Sequence, residues 1–494
     1  MTSRFPTTSA GVVSSTRPMA IPWAVLLLAA FALRIWQFGN PVIHIDEQFY
    51  LLVGDRLWHG TGLPYVDAWD RKPFGLFLIY AATRIFGGDG VLAYQIVATV
   101  AAGLTAGIVQ RLATRIAPGR GALFAGLAYI VYLSVNGGDG GQSPVFYNLP
   151  VALAALAVVR VYERPRFDRT AMAFASAEMT SFGIALQIKY SVLFEGVFFG
   201  VALLVRAWRC RVHVAPLAAM AATWCMLALL PTAAVVGSYW MIGQLDALVF
   251  ANFQSVFLRQ PPDRALMIER LTLIALHLLP LVAAAIWALP AIRQRRPIGP
   301  LLLGWAAMAI VGLLLFGTYF DHYALPLVLP LAVIAAPTFA RTVRGVPMIV
   351  PIVTIGLVYV GINTSVLRGT RGDGEGARRF AARIGPSPRG CLFVFSGDPI
   401  LYQLTGSCLP TAYNFPTFLS EMGDSRTLRI DPHAELRMVM ARRPGYVVIS
   451  SIDPGATDIA AHAFMRRELA RHYRLIDRSV LSERVDQLYQ AKGR

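Results

Sequence analysis

Phe74-Gly75-Leu76-Phe77-Leu78-Ile79-Tyr80-Ala81-Ala82-Thr83-Arg84-Ile85-Phe86 is the stretch on which the fold of this 494-residue chain turns. It is strongly apolar, yet it holds only thirteen residues and carries Arg84, whereas a helix needs about 20 residues to cross a bilayer. Around it lie eleven longer apolar windows, at 21–38, 91–109, 121–135, 146–160, 171–187, 190–206, 214–236, 271–290, 299–316, 323–340 and 346–366. Whether Phe74–Phe86 crosses decides which side of the membrane every later segment occupies.

The distribution of basic residues arbitrates, because cytoplasmic loops of membrane proteins collect Lys and Arg. If the stretch lies along the interface, the segments 1–20, 110–120, 160–170, 206–213, 291–298 and 341–345 share one side and carry 17 Lys/Arg in 63 residues. The opposite segments (40–90, 136–147, 188–190, 237–270 and 317–322) carry only 8 in 106 residues. Making Phe74–Phe86 a span would expel five of the six basic segments. It therefore reads as a juxtamembrane helix, with residues 1–20 as a cytoplasmic N-terminus. Ala30-Phe31-Ala32 offers small residues to a signal peptidase, but no polar boundary follows, so the first window reads as an anchor.

Composition agrees. Hydrophobic residues make up 56% and charged residues 15%, with a mean hydropathy of +0.54, against about 25% charged in soluble domains. A soluble enzyme, a disordered chain and a disulfide-framed secreted module are excluded. The net charge of +17 is largely membrane orientation, so no nucleic-acid partner is expected.

The expectation is thus an all-α polytopic membrane protein: a transmembrane unit at 21–366 and, from about 367, a small extracytoplasmic α/β domain. That tail is Arg-rich, with Gly/Pro punctuation and strand-like runs at 391–395 and 446–449. It holds Cys391 and Cys408; an external site permits a disulfide between them, and two buried thiols is the equal alternative. Cys210 and Cys225 fall toward the cytoplasmic half and should stay reduced.

The first external loop (40–90) is long, and long loops without a span pattern are usually functional. It places Asp46-Glu47 directly after the first span, and Tyr65-Val66-Asp67-Ala68-Trp69-Asp70-Arg71-Lys72-Pro73 before the juxtamembrane helix. A carboxylate pair near a cation cluster suits transfer of a sugar from a lipid phosphate. The carboxylate takes the proton from the attacking hydroxyl, and fixed cations stabilise the departing phosphate. The plainer alternative is a solvated loop in which Asp46 caps a helix starting at Glu47.

These residues resemble the integral-membrane glycosyltransferases of the GT-C fold. The similarity is to family 39-like enzymes: protein O-mannosyltransferases, the lipid A aminoarabinose transferase and rhizobial lipopolysaccharide galacturonosyltransferases. Gln187-Ile188-Lys189-Tyr190, Asp321-His322-Tyr323-Ala324-Leu325-Pro326 and Pro399-Ile400-Leu401-Tyr402-Gln403-Leu404-Thr405-Gly406 resemble further family phrases. The resemblance implies a polyprenyl-phosphate sugar donor, an inverting mechanism and an external active site in the inner (plasma) membrane. It implies Asp46 as general base, Glu47 as its neighbour in acceptor or metal positioning, and a donor phosphate held near Asp70, Arg71, Lys72 and Lys189. The acceptor would be a hydroxyl of an envelope glycan, lipopolysaccharide or protein, with Tyr65, Asp139 and His322 near it. Asp139 is the only acid of the second external loop, and Tyr94-Gln95 stands where relatives often place an Arg.

A divalent metal could draw on His44, Glu47, Asp139 and His322, although no segment has a tight ligand spacing. Within or beside spans, Glu195 could pair with Lys189 or line one cavity with it. Glu178 reads as a helix–helix hydrogen-bonding group, and His277 as a core histidine bonded to a neighbouring helix. The rival class is a multi-span transporter or flippase using these three residues as a path. Against it, there is no internal repeat and the acids concentrate in one external loop.

Overall fold

The computed structural model describes residues 20–117, 119–259, 263–315, 317–372, 374–451, 457–481 and 484–493; residues 1–19 of the expected cytoplasmic N-terminus lie outside them. A helix occupies each of the eleven apolar windows. These are α1 (Ala20–Arg34), α4 (Val91–Ala113), α5 (Arg120–Val135), α6 (Ser143–Glu163), α7 (Arg169–Leu186), α8 (Leu193–Arg209), α9 (Val214–Met241), α11 (Arg264–Gln294), α12 (Ile298–Leu315), α13 (Leu325–Phe339) and α14 (Ile349–Arg371). Among the described residues, eight helices are long and apolar enough to cross a membrane. α1 and α5 are shorter apolar helices, and α7 carries Glu178 at its middle. The chain is a multi-pass membrane protein.

Between α1 and α4 lie α2 (Ile45–Trp58) and α3 (Phe74–Thr83), the latter extended by one 3-10 turn to Phe86. α3 stops at ten residues. One face packs Leu76, Phe77 and Tyr80 inward, while Leu78, Ile85 and Phe86 remain exposed, as suits a helix lying in the interface. Arg84 is held at its end by Asp55 of α2 at 2.6 Å. Gly54 lets α2 and α3 touch, since a Cβ there would overlap the backbone at Tyr80 and Ala81.

Small residues bring the spans together, because apolar burial drives little association in lipid and close backbone packing takes its place. Gly103 and Gly107 of α4 receive Leu27 and Trp23 of α1, and Gly121 of α5 meets the backbone of α13 at Ala336. At one end of the bundle the basic connections converge. Arg115 pairs with Glu163 at 2.7 Å, and Arg206 donates to the Arg164 carbonyl. The acidic and lysine-bearing loops gather at the other end.

A short helix, α10 (Leu245–Val249), precedes α11. A small hairpin, β1 (Thr342–Val343) and β2 (Val346–Pro347), links α13 to α14. After α14 come α15 (Glu375–Ile384) and a four-stranded sheet of β3 (Leu392–Val394), β4 (Tyr446–Ser450), β5 (Tyr473–Leu481) and β6 (Arg484–Ala491), ordered β3-β4-β6-β5. β3 runs parallel to β4 and the other pairs are antiparallel. Helices at Pro432–Ala441 and Ile459–His472 separate the strands. Cys391 and Cys408 form a disulfide, with a Cα–Cα distance of 5.1 Å, while Cys210 and Cys225 are free.

The tail sits on the first loop. Gln48 of α2 donates to Asp398 at 3.0 Å and accepts from the Ile400 amide at 3.1 Å. The Trp69 amide donates to the Ala412 carbonyl at 2.8 Å, and the Trp69 ring lies among Phe250, Tyr413 and Phe418.

Candidate active site

α2 begins at Ile45, with His44 as its extended N-cap and no side-chain cap. Asp46 is therefore inside the first turn and caps nothing, so the capping expectation does not hold. Its side chain is half-buried and lies among basic side chains from three separate segments. Burial raises the Asp46 carboxyl, but Lys72, then His322, His44 and Lys189, more than offset that and hold it below the usual carboxylate range. Asp46 is charged at neutral pH, as a proton acceptor must be.

Lys72 reaches this point through a braced turn. Tyr65 takes a left-handed backbone (φ 69°), its amide donates to the Ala68 carbonyl at 2.9 Å, and its hydroxyl donates to the Lys72 carbonyl at 2.8 Å. Asp70 is buried and accepts from the Arg71 and Lys72 amides, so it shapes the backbone that presents Lys72. Burial pushes the Asp70 carboxyl up, against the pull of Lys72 and Arg71. The Lys72 ammonium stands 5.1 Å from the Tyr50 ring. Burial lowers it, but Asp46 and Asp70 outweigh that and hold it above the usual lysine value. Arg71 turns to the tail, where it bonds Asp424 at 2.9 Å.

Lys189 adopts extended backbone between α7 and the turn opening α8, and its ammonium lies 4.2 Å from the Tyr323 ring centre. Burial and the neighbouring Lys72 lower it to about 8, with Tyr323 and Asp46 opposing. His322 is the second residue of the short turn Asp321–Ala324 before α13. Its ring stacks on Phe320 at 5.8 Å and is edge-on to Tyr323. Thus Asp46, Lys72, Lys189 and His322, separated by up to 276 positions in the chain, share one electrostatic neighbourhood.

Arg259 belongs to the same neighbourhood, being electrostatically coupled to Lys189 and to Asp424. Arg270, near the start of α11, donates to the Thr318 carbonyl at 2.9 Å and lies 4.2 Å from the Phe320 ring. Sequence reasoning missed Arg259, which stands in no motif. Its signal was scarcity, as one of only eight Lys/Arg in the Lys/Arg-poor set of segments.

Glu47 lies beneath the loop between α5 and α6. It is fully buried, and neither carboxylate oxygen has a partner at hydrogen-bonding geometry. Burial raises its carboxyl to about 7, with His44, the Gly141 amide and the Tyr94 hydroxyl working against the rise. The loop above is clamped from several sides. Arg34 of α1 donates to the Gly138 carbonyl and, at 3.4 Å, to that of Gly140. Tyr80 donates to the Gly141 carbonyl at 2.8 Å. Asp139 pairs with His44 at 3.2 Å and accepts from Gln37 at 3.5 Å. Burial raises the Asp139 carboxyl, but His44 and then Arg34 hold it below the usual range.

Gly140 lies against the Glu47 carboxylate, and a Cβ at 140 would overlap both of its oxygens. Gly140→Ala is expected to displace Glu47 and to cost roughly 1–3 kcal/mol, the usual range for overpacking. Thermal unfolding of the purified variant checks this; an unchanged midpoint would mean that Glu47 has room to move.

Among the described residues, no three His, Cys, Asp or Glu side chains are grouped so as to hold a metal ion. His44, Glu47, Asp139 and His322 therefore do not form the ligand set that the sequence offered. His44 and Asp139 bond each other, whereas His322 lies with Phe320 and Tyr323. In the spans, Glu195 accepts from the Trp305 indole at 2.6 Å and lines one cavity with Lys189. His277 packs on Tyr359 with centroids 4.5 Å apart, and its Nδ1 is unpartnered. Neither oxygen of Glu178 has a partner, so the expected helix–helix hydrogen bond is not made.

No family model matches the sequence, and no curated protein matches it either. The fold does have solved counterparts. ArnT from Cupriavidus metallidurans bound to undecaprenyl phosphate aligns at a TM-score of 0.64 and 14% identity, covering 95% of this chain and 97% of that one. Its apo state aligns at 0.62 and 14%, covering 95% and 98%. At that identity the likeness is one of fold. It covers nearly the whole chain, which has the GT-C architecture.

Proposed function

We propose that this protein is an inverting glycosyltransferase that moves a sugar from a polyprenyl phosphate to a hydroxyl of a cell-envelope acceptor. The observation that carries this reading is the meeting of one ionised carboxylate, Asp46, with Lys72, Lys189 and Arg259 at one end of a membrane bundle. Asp46 takes the proton of the acceptor hydroxyl as its oxygen bonds the anomeric carbon. The bond from that carbon to the phosphate oxygen breaks on the opposite side, and the lipid phosphate leaves toward the cations. Phosphate leaves well without protonation, so a second acidic group is not required, in contrast to glycoside hydrolysis. The undecaprenyl phosphate held by ArnT of the same fold supports a donor of this class.

In this reading residues 1–20 are cytoplasmic, 21–366 form the catalytic membrane domain, and 367–494 form an extracytoplasmic domain. That domain holds the first loop through Gln48, Trp69 and Arg71. The site faces outward in the inner (plasma) membrane, on the side poor in Lys and Arg. Single-cysteine labelling in a cysteine-free background tests the orientation. Position 139 should react with an impermeant reagent in intact cells and position 166 should not; the reverse pattern contradicts it.

Function in cells is tested by mass spectrometry of envelope glycolipids and glycoproteins from a deletion strain. A species lacking one sugar, restored by the wild-type gene and not by an Asp46→Asn gene, is the expected result. An unchanged envelope would count against the reading.

A further inference from the structure

α2 shows different faces to the cations and to the tail. Successive residues of a helix are turned about 100° from one another, so Gln48, Leu52 and Arg56 form one stripe, with Asp46 and Tyr50 on the other side. The Asp46 stripe turns to the cations, and the Lys72 ammonium stands 5.1 Å from the Tyr50 ring. The Gln48 stripe meets a single tail segment, the short helix Ile400–Thr405 with its flanks. At one end of the stripe the buried Gln48 bonds Asp398 and the Ile400 amide. At the other end Arg56 donates to the Ser407 carbonyl, and Leu52 between them is fully buried. The segment is held from behind by β3. The Val394 amide donates to the Tyr402 hydroxyl at 2.8 Å, and the Leu392 amide to the Ser407 hydroxyl at 2.7 Å. The Cys391–Cys408 disulfide closes this same segment, since Cys391 precedes β3 and Cys408 follows Ser407. Cys408 is exposed, so a reductant in solution reaches the bond.

We infer that this disulfide-closed segment positions the base: gripping α2 through Gln48 and Arg56, it sets Asp46 against the Lys72 cluster, so that turnover depends on the oxidised state of Cys391 and Cys408. Gln48 and Arg56 touch no reacting atom and act as positioning residues. A dithiol supplies the two electrons of the switch; exchange leaves two thiols here and one disulfide on the reductant. The turn that presents Lys72 is tied to the tail at Ala412 and Asp424, beyond the closed segment, so the phosphate-binding side is spared. The inference rests on the reading of Asp46 as the base of a sugar transfer and adds a control on its placement.

The test uses the full-length protein in nanodiscs, with Cys210 and Cys225 replaced by Ser. Dithiothreitol should lower single-turnover sugar transfer about 10- to 100-fold, the scale of a displacement near 1 Å. It should leave the calorimetric affinity for decaprenyl phosphate unchanged and speed hydrogen exchange of the amides at 49–56, with those of α4 unaltered. Reoxidation should restore all three. A second arm keeps the disulfide intact, which separates loss of the grip from unfolding of the tail. Gln48→Glu retains an acceptor for the Ile400 amide but sets a second carboxylate against Asp398, and should lower transfer without lowering affinity. Adding Asp398→Asn, which supplies a donor, should restore transfer. A contact that merely stabilised the fold would lower donor affinity together with turnover. Transfer that is indifferent both to reduction and to Gln48→Glu overturns the inference, as does faster exchange in α2 with undiminished transfer. Faster exchange in a protein that transfers no sugar in either redox state would leave the grip on α2 standing and remove the glycosyltransferase reading.

Discussion

Asp46→Asn is expected to lower turnover by about 10²–10⁴, the usual worth of a positioned general base, while leaving folding and donor binding nearly intact. Asn is close in size to Asp and occupies the same first-turn position of α2, so packing is preserved. What it loses is the capacity to accept a proton from the attacking hydroxyl. Neighbouring cations keep Asp46 ionised against its burial, so the loss should appear across the neutral pH range. Had Asp46 served as a helix cap, the Asn variant would work normally, because Asn caps about as well as Asp. The structure removes that option by putting His44 at the cap. Glu47→Gln should be milder, since the buried Glu47 carboxyl sits near neutrality at about 7 and faces the second loop. Single-turnover rates of the purified variants decide between these roles, and an Asp46→Asn protein with a native rate would remove Asp46 as the base.

Lys72→Ala should weaken binding of the lipid-phosphate donor by about 1.5–3 kcal/mol, the cost of losing a hydrogen bond to a charged group, or roughly 10- to 150-fold in Kd. The substitution also leaves Asp46 without its strongest cationic neighbour, so the Asp46 carboxyl should titrate at higher pH and the acid limb of the rate profile should move upward. Lys189→Ala should do less to affinity and more to its pH dependence. The Lys189 ammonium is lowered to about 8, so it is charged below that pH and neutral above it. Wild-type donor affinity should therefore fall as pH rises through about 8, and Lys189→Ala should flatten that dependence. Calorimetric titration of each variant at pH 6.5 and 9 measures both effects. Unchanged affinity in both variants would take these lysines out of the site.

Much of this arrangement was legible before any coordinates. The eleven apolar windows marked the helices, because a lipid-facing helix carries its own signal in composition. Basic asymmetry kept Phe74–Phe86 out of the count of spans, and its ten-residue helix with an exposed apolar face agrees with that reading. Contacts at long separation were not legible. Arg71 read as a phosphate ligand because it precedes Lys72, and its bond to Asp424, 353 residues away, was not anticipated. Nothing local signals that choice. Asp70 likewise read as part of the site, and its bonds to the Arg71 and Lys72 amides were not anticipated. His44, Glu47, Asp139 and His322 looked like a ligand set because all four were read into external loops, but among the described residues no three His, Cys, Asp or Glu side chains are grouped to hold a metal ion. Arg34, inside the first apolar window, gave no sign that it would clamp the second loop. Its role exists only once α1 and that loop are adjacent.

The most direct measurement of the central claim is sugar transfer by the purified protein in nanodiscs, with no gradient across any membrane. The donor is a polyprenyl phosphate carrying a radiolabelled sugar, and the acceptors are glycolipid and protein fractions of the deletion strain's envelope. The account predicts that label moves from the donor to one acceptor, that free polyprenyl phosphate accumulates in equal amount, and that Asp46→Asn abolishes both. Donor that binds and is never consumed with any acceptor fraction would contradict it.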